Sequence, residues 1–123
     1  MNKMPKIMII DDNKETLAGL KTFLDGMKFS TVTAENGLDG VKRFLKGKDE
    51  FDLIITDLVM PEISGVGVIG MIKKESPSIP IIAITGWGYH PTALAKEAKA
   101  DLVLEKPVEM EDLYQAIKRL IRQ

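Results

Sequence analysis

Four short apolar runs in this chain each end at a polar side chain, and the intervals between them carry helical spacing. Lys6–Ile10 runs into Asp11 and Asp12. Leu53-Ile54-Ile55-Thr56 stops at Asp57. Ile81-Ile82-Ala83-Ile84 stops at Thr85, and Leu102-Val103-Leu104 stops just before Lys106-Pro107. Unbroken apolar runs of this length are the mark of parallel strands covered on both faces. A further segment, Phe29–Ala34, alternates and is rich in β-branched residues, as a half-buried strand is.

The intervals supply the helices. Leu17, Leu20, Leu24 and Met27 recur at helical spacing and close near Gly26. Leu38, Val41, Phe44 and Leu45 form a second apolar face that ends near Gly47. Val68, Ile69 and Ile72 mark a third helix ending before Pro77. Thr92–Ala98 is a small, Ala-rich fourth, and Met110, Leu113, Ile117 and Leu120 form the last stripe. Five βα units with right-handed crossovers give an α/β fold: a doubly wound, five-stranded parallel sheet with helices on both faces.

Size and composition narrow the function. The 123 residues suffice for one domain and one core. Lys plus Arg is 17 and Asp plus Glu is 18, for a net charge of −1. A near-neutral chain is not built to coat nucleic acid or an anionic membrane. The absence of cysteine excludes disulfide scaffolds, zinc–thiolate sites, Fe–S clusters and thiol catalysis. The longest early apolar run, Ile7–Ile10, is too short for a signal peptide or a membrane span. A cytoplasmic protein is expected.

In doubly wound sheets the site lies beyond the carboxyl ends of the strands, where strand order reverses. That rule gathers Asp11, Asp12, Asp57, Thr85 and Lys106 at one edge. Three close carboxylates repel one another and need a cation. Oxygen donors without His or Cys favour a hard ion, Mg2+ over Zn2+. A hydroxyl and an ammonium opposite them suit phosphoryl oxygens, with a carboxylate available as nucleophile. Taken singly, each residue has a plainer reading. Asp11, Asp12 or Asn13 would cap the first helix, Asp57 would be a loop carboxylate, Thr85 would satisfy backbone groups, and Lys106 would be a solvated lysine.

Taken together and in order, these residues resemble a response-regulator receiver domain, the CheY-like phosphoacceptor module of two-component signalling. The resemblance rests on Asp11-Asp12, on Asp57-Leu58-Val59-Met60-Pro61 followed by Gly65, on Ile84-Thr85-Gly86, and on Lys106-Pro107. It covers essentially the whole chain, residues 1–123, as a single receiver domain. It implies a flavodoxin-like sheet of order 2-1-3-4-5. It also implies that Asp57 accepts the phosphoryl group and helps bind Mg2+. Asp12 would ligate that ion directly, Asp11 through water, and Val59 through its backbone carbonyl. Thr85 would bond the phosphoryl group, Lys106 would pair with it, and Pro107 would follow a cis peptide bond.

The implied partners are a histidine kinase or phosphotransfer protein upstream and an unidentified output protein downstream, with no direct contact to nucleic acid or membrane. The implied role is a signalling module rather than an enzyme, reaching its target by protein contact. Competing readings are a receiver segment of a longer regulator or hybrid kinase, a degenerate receiver that binds without phosphorylation, and a small Mg2+-dependent phosphohydrolase. The last lacks its Asp-x-Asp motif, because Val59 stands two residues after Asp57.

Three positions depart from the family pattern. Val103 replaces the switch aromatic three residues before the lysine. Lys99 stands where glycine often closes the fourth helix. The segment Gly86-Trp87-Gly88-Tyr89-His90-Pro91 is unusually aromatic and reads as a loop packed over the site, or else as a docking patch for a partner through Trp87 and Tyr89, with His90 in no catalytic role. Val59 and Trp87 are both apolar and poorly suited to orient an attacking water, so slow loss of the phosphoryl group is expected. The Lys/Arg pairs at 42–43, 73–74 and 118–119, with Lys46 and Lys48, read as solvated helix faces.

Overall fold

A computed structural model of the chain describes residues 4–58, 60, 63–86 and 99–121. Its elements run β1 (Lys6–Ile10), α1 (Lys14–Gly26), β2 (Ser30–Ala34), α2 (Gly37–Lys46), β3 (Leu53–Asp57), α3 (Gly65–Glu75), β4 (Ile81–Thr85), β5 (Leu102–Glu105) and α4 (Met110–Ile121). A 3-10 turn at Lys48–Glu50 joins α2 to β3. The helix expected over Thr92–Ala98 lies outside the described residues. All five strands form one sheet in the order β2-β1-β3-β4-β5, and every pairing is parallel. The expected topology is therefore present.

β1, β3 and β4 each feed two cores because successive side chains point to opposite faces. Met8 and Ile10 of β1 join Ile54, Ile81 and Ala83 under α2 and α3, which contribute Val41, Phe44, Val68, Ile69 and Ile72. Ile7 and Ile9 join Leu53, Ile55, Ile82 and Ile84 under α1 and α4, which contribute Leu17, Leu20, Leu24, Leu113 and Ile117. Double coverage explains the unbroken apolar runs. No helix among the described residues is long and apolar enough to cross a membrane.

The inner face of α2 differs from the expectation. Val41 and Phe44 are buried, but Leu38 and Leu45 are 45% and 48% exposed. Gly37 and Gly40 take the inward positions instead. At about 100° per residue, Leu38 and Leu45 lie a quarter-turn away from that face. The approach is close: a Cβ on Gly40 would stand 2.5 Å from Ile10 Cδ1, so the Ile10 side chain would have to shift to admit one. Gly40 thus lets α2 rest on the last residue of β1, while Gly37 lets it lie against Ile63 and Val68.

Lys73 is a second correction. It is not a solvated lysine but only 11% exposed, with Nζ 2.9 Å from Asp101 Oδ2. The same carboxylate oxygen accepts the Ile81 N–H at 2.8 Å. The pair ties α3 to the starts of β4 and β5. Lys42, Lys46, Lys74, Lys118 and Arg119 are exposed as expected, and so is Arg43, which pairs with Asp39 one turn earlier.

Candidate functional site

Parallel strands entering in one direction deliver their carboxyl ends to one edge. β1 and β3 are neighbours, and so are β3 and β4. Asp11 follows β1 directly, and Asp57 and Thr85 are the last residues of β3 and β4. Asp57 is 5% exposed and Asp11 2%. Asp12 is exposed. Asp11, Asp12 and Asp57 each offer a carboxylate oxygen, and these oxygens lie within 4.8 Å of one another. Lys106, just past β5, brings its Nζ to 3.6 Å from Asp57 Oδ2 and 3.9 Å from Asp11 Oδ2.

Asn13 settles which residue begins α1. Its side-chain oxygen accepts the Thr16 N–H at 2.9 Å, and its own N–H donates to Asp11 Oδ1 at 2.8 Å. Asn13 is the N-cap, so the Asp12 side chain is not committed to the helix start. Burial is the largest influence on Asp11 and pushes its carboxyl above the ordinary value of 3.8. The charges of Asp57 and Asp12 push the same way. The Asn13 N–H and the Lys106 ammonium oppose them. Three crowded carboxylates, one of them held against its preference for ionisation, fit a hard divalent cation. Asp11, Asp12 and Asp57 are the side chains that would hold it.

Thr85 is buried, and its hydroxyl donates to the Gly86 carbonyl at 3.2 Å. Its own carbonyl accepts the Lys106 N–H at 2.8 Å. The two residues are therefore tied through the backbone at the β4–β5 edge. The Lys106–Pro107 peptide is cis. Val103, the departure in β5, packs partly buried against the core under α2 and α3. Lys99 adopts a left-handed conformation with φ 78°, so the backbone keeps the geometry that glycine favours. Val59, Trp87, Tyr89 and His90 lie outside the described residues.

Beside Lys106 the wall opens. A cavity of about 580 Å³ lies between α1 and the segment that leads into α4, lined by Thr16, Leu20, Phe23, Pro107, Val108 and Met110 among others. On the other side of the sheet, Gly40 of α2 packs against Ile10, the residue before Asp11.

Sequence reasoning passed over Thr56, which it counted within an apolar run. Thr56 is fully buried, and its hydroxyl donates to the Asp57 carbonyl at 3.0 Å. The signal was present: Thr56 is the only polar residue in that run.

Comparison with known proteins bears on the family and the fold. Residues 7–118 match the family described as response regulator receiver domain. The transcriptional regulatory protein GlrR of Escherichia coli is 33% identical over 123 residues, which is 99% of this chain and 27% of that protein. The CpxR homolog of Haemophilus influenzae is 30% identical over 97% of this chain and 51% of its own length. The chain thus spans about a quarter to a half of these two relatives. A solved receiver domain protein from Clostridium thermocellum superposes with a TM-score of 0.91 at 33% identity, covering 97% of this chain and 95% of that one. The response regulator TrrA of Thermotoga maritima, solved in complex with Mg2+-BeF, gives 0.86 at 33% identity over 95% and 99% of the two chains. By its sheet order, its strand-end residues and these likenesses, the chain belongs to the response regulator receiver domain family.

Proposed function

We propose that this receiver accepts a phosphoryl group on Asp57, with Mg2+ held by Asp11, Asp12, Asp57 and the Val59 carbonyl. The observation that carries the reading is the setting of Asp57. It is a buried carboxylate at the end of a central strand, with two further carboxylates and one ammonium around it. The likeness to TrrA, solved with Mg2+ and a beryllium fluoride, supports it.

The chemistry follows from the placement. An Asp57 oxygen attacks the phosphorus of a phosphohistidine in line. The P–N bond breaks, the imidazole leaves with its electron pair, and an acyl phosphate remains on Asp57. Lys106 meets the transferring oxygens with its ammonium. When bound, Mg2+ neutralises charge on the same oxygens. Thr85 leaves the Gly86 carbonyl to donate to the new group, which biases a two-state equilibrium.

The donor in this reading is a histidine kinase or phosphotransfer protein, and the output is a protein contact rather than nucleic acid or membrane. Residues 1–123 form one receiver domain in this reading, which acts in the cytoplasm and modifies itself rather than turning over a substrate. A second reading, a receiver segment of a longer regulator, is favoured by the 27% of GlrR that the chain spans.

The test is to treat the protein with phosphoramidate and Mg2+ and map the modified residue by mass spectrometry. Asp57 carries the group in the expected result, and Asp57→Asn does not. Normal yield from Asp57→Asn overturns the assignment. Catalytic release of phosphate from an ester would favour the phosphohydrolase reading instead.

A further inference from the structure

The peptide that follows Asp57 is held on every side. The Leu58 N–H donates to the Ile84 carbonyl at 2.9 Å, which fixes one edge of the Asp57–Leu58 peptide to β4. The Asp57 carbonyl, at the other edge, accepts the Thr56 hydroxyl at 3.0 Å. Gly65 closes the remaining approach. A Cβ there would stand 2.1 Å from the Asp57 carbonyl oxygen and 2.5 Å from Leu58 Cα. No side chain fits such a gap, so only a bare Cα lets the start of α3 lie there. The Gly65 N–H in turn donates to the Leu58 carbonyl at 3.1 Å.

A free β-strand end has no such restraint. Here the first peptide beyond the strand has both polar groups bonded, and the second has its carbonyl bonded to the helix start. Thr56 is fully buried, so its hydroxyl has no water to turn to. The direction of the chain leaving Asp57 decides where its carboxylate stands relative to Asp11, Asp12 and Lys106.

We propose that the Thr56 hydroxyl and the bare Cα of Gly65 are positioning elements that clamp the Asp57–Leu58 peptide and so hold the Asp57 carboxylate in attacking geometry. This rests on the reading of Asp57 as phosphoacceptor. In-line transfer is sensitive to displacement of the reacting atom, and an error of about 1 Å can cost a hundredfold. A lost hydroxyl that loosens the peptide without breaking the strand costs less, about tenfold.

The experiment compares wild type, Thr56→Val, Thr56→Ser and Gly65→Ala, each checked for folding by thermal melt. The rate of phosphorylation by phosphoramidate is followed over donor concentration at saturating Mg2+. Thr56→Val keeps the shape and removes the hydroxyl. Its maximal rate falls about tenfold with the half-saturating donor concentration unchanged, and Thr56→Ser recovers most of the loss. Gly65→Ala falls further and also melts earlier. A role in packing alone would move the melting temperature and leave the maximal rate of the folded protein in place. Thr56→Val reacting at the wild-type maximal rate overturns the clamp. Wild type that gains no group on Asp57 overturns the phosphoacceptor reading, and the two failures are separate results.

Discussion

Lys106 holds its ammonium 3.6 Å from Asp57 Oδ2, although the two residues arrive on different strands of the sheet with β4 between them. The same ammonium is 3.9 Å from Asp11 Oδ2. One cation, a third exposed, therefore faces two buried carboxylates.

Removing that cation leaves the carboxylates less compensated. Lys106→Ala is expected to destabilise the metal-free protein by about 1–2 kcal/mol, between an exposed pair and a buried one. That corresponds to a loss of roughly 5 °C in Tm. Mg2+ should recover more stability in the variant than in wild type. Thermal melts with Mg2+ and with a chelator check both statements, and equal Mg2+ gains in the two proteins would count against them.

Asp11 gives a pH dependence whose sign can be stated. Its carboxyl is raised in the folded protein, first by burial and then by Asp57 and Asp12. The folded state thus binds this proton more readily than the unfolded state, and ionised Asp11 costs stability above its folded pKa. The cost shrinks as pH falls through that value toward the unfolded one. Without metal, Asp11→Asn should be the more stable protein at pH 7. The gap should close as the pH is lowered and narrow when Mg2+ is added. Melts of both proteins across an acid series measure it.

Among the described residues, two non-glycine residues adopt left-handed backbone, Lys28 with φ 70° and Lys99 with φ 78°. An L side chain there costs about 1–2 kcal/mol, partly offset by the greater chain entropy lost when glycine is ordered. Lys28→Gly and Lys99→Gly should each stabilise by about 0.5–1 kcal/mol. Urea unfolding at constant slope is the measurement, and a loss of stability at either position would contradict the backbone argument.

Asp101 accepts from the Ile81 N–H and from Lys73 with the same oxygen. Asp101→Ala strands the Ile81 N–H in a partly buried setting and leaves the Lys73 ammonium to the Ile79 and Pro77 carbonyls, and should cost about 2 kcal/mol. Lys73→Met removes one and should cost less. A double-mutant cycle should return a coupling of about 1 kcal/mol, while phosphorylation by a small donor is unaffected.

Much of the architecture was legible because both faces of the sheet are covered, which writes the strands as continuous apolar runs. The carboxyl-end rule then gathers Asp11, Asp57, Thr85 and Lys106 at one edge of the sheet. What failed to show depends on partners distant in sequence. Leu38 and Leu45 look like core, but Gly37 and Gly40 occupy the inner face, and glycine carries no hydropathy signal. Lys73 looks solvated because Asp101 is brought to it only by the fold. The choice among Asp11, Asp12 and Asn13 as helix cap could not be made from three adjacent capping residues. The Thr56 hydroxyl was hidden by the company of three apolar neighbours.

The α2 contact on Ile10 and the cavity beside Lys106 give the two flanks of the site different mechanical compliance. On the carboxylate flank, Gly40 lies flush against the residue that precedes Asp11, and a displacement there must move a whole helix. On the lysine flank, Pro107 and Val108 border about 580 Å³ of space. The acidic half is thus backed by a packed helix, and the segment from Lys106 to Met110 is the part bordered by open space.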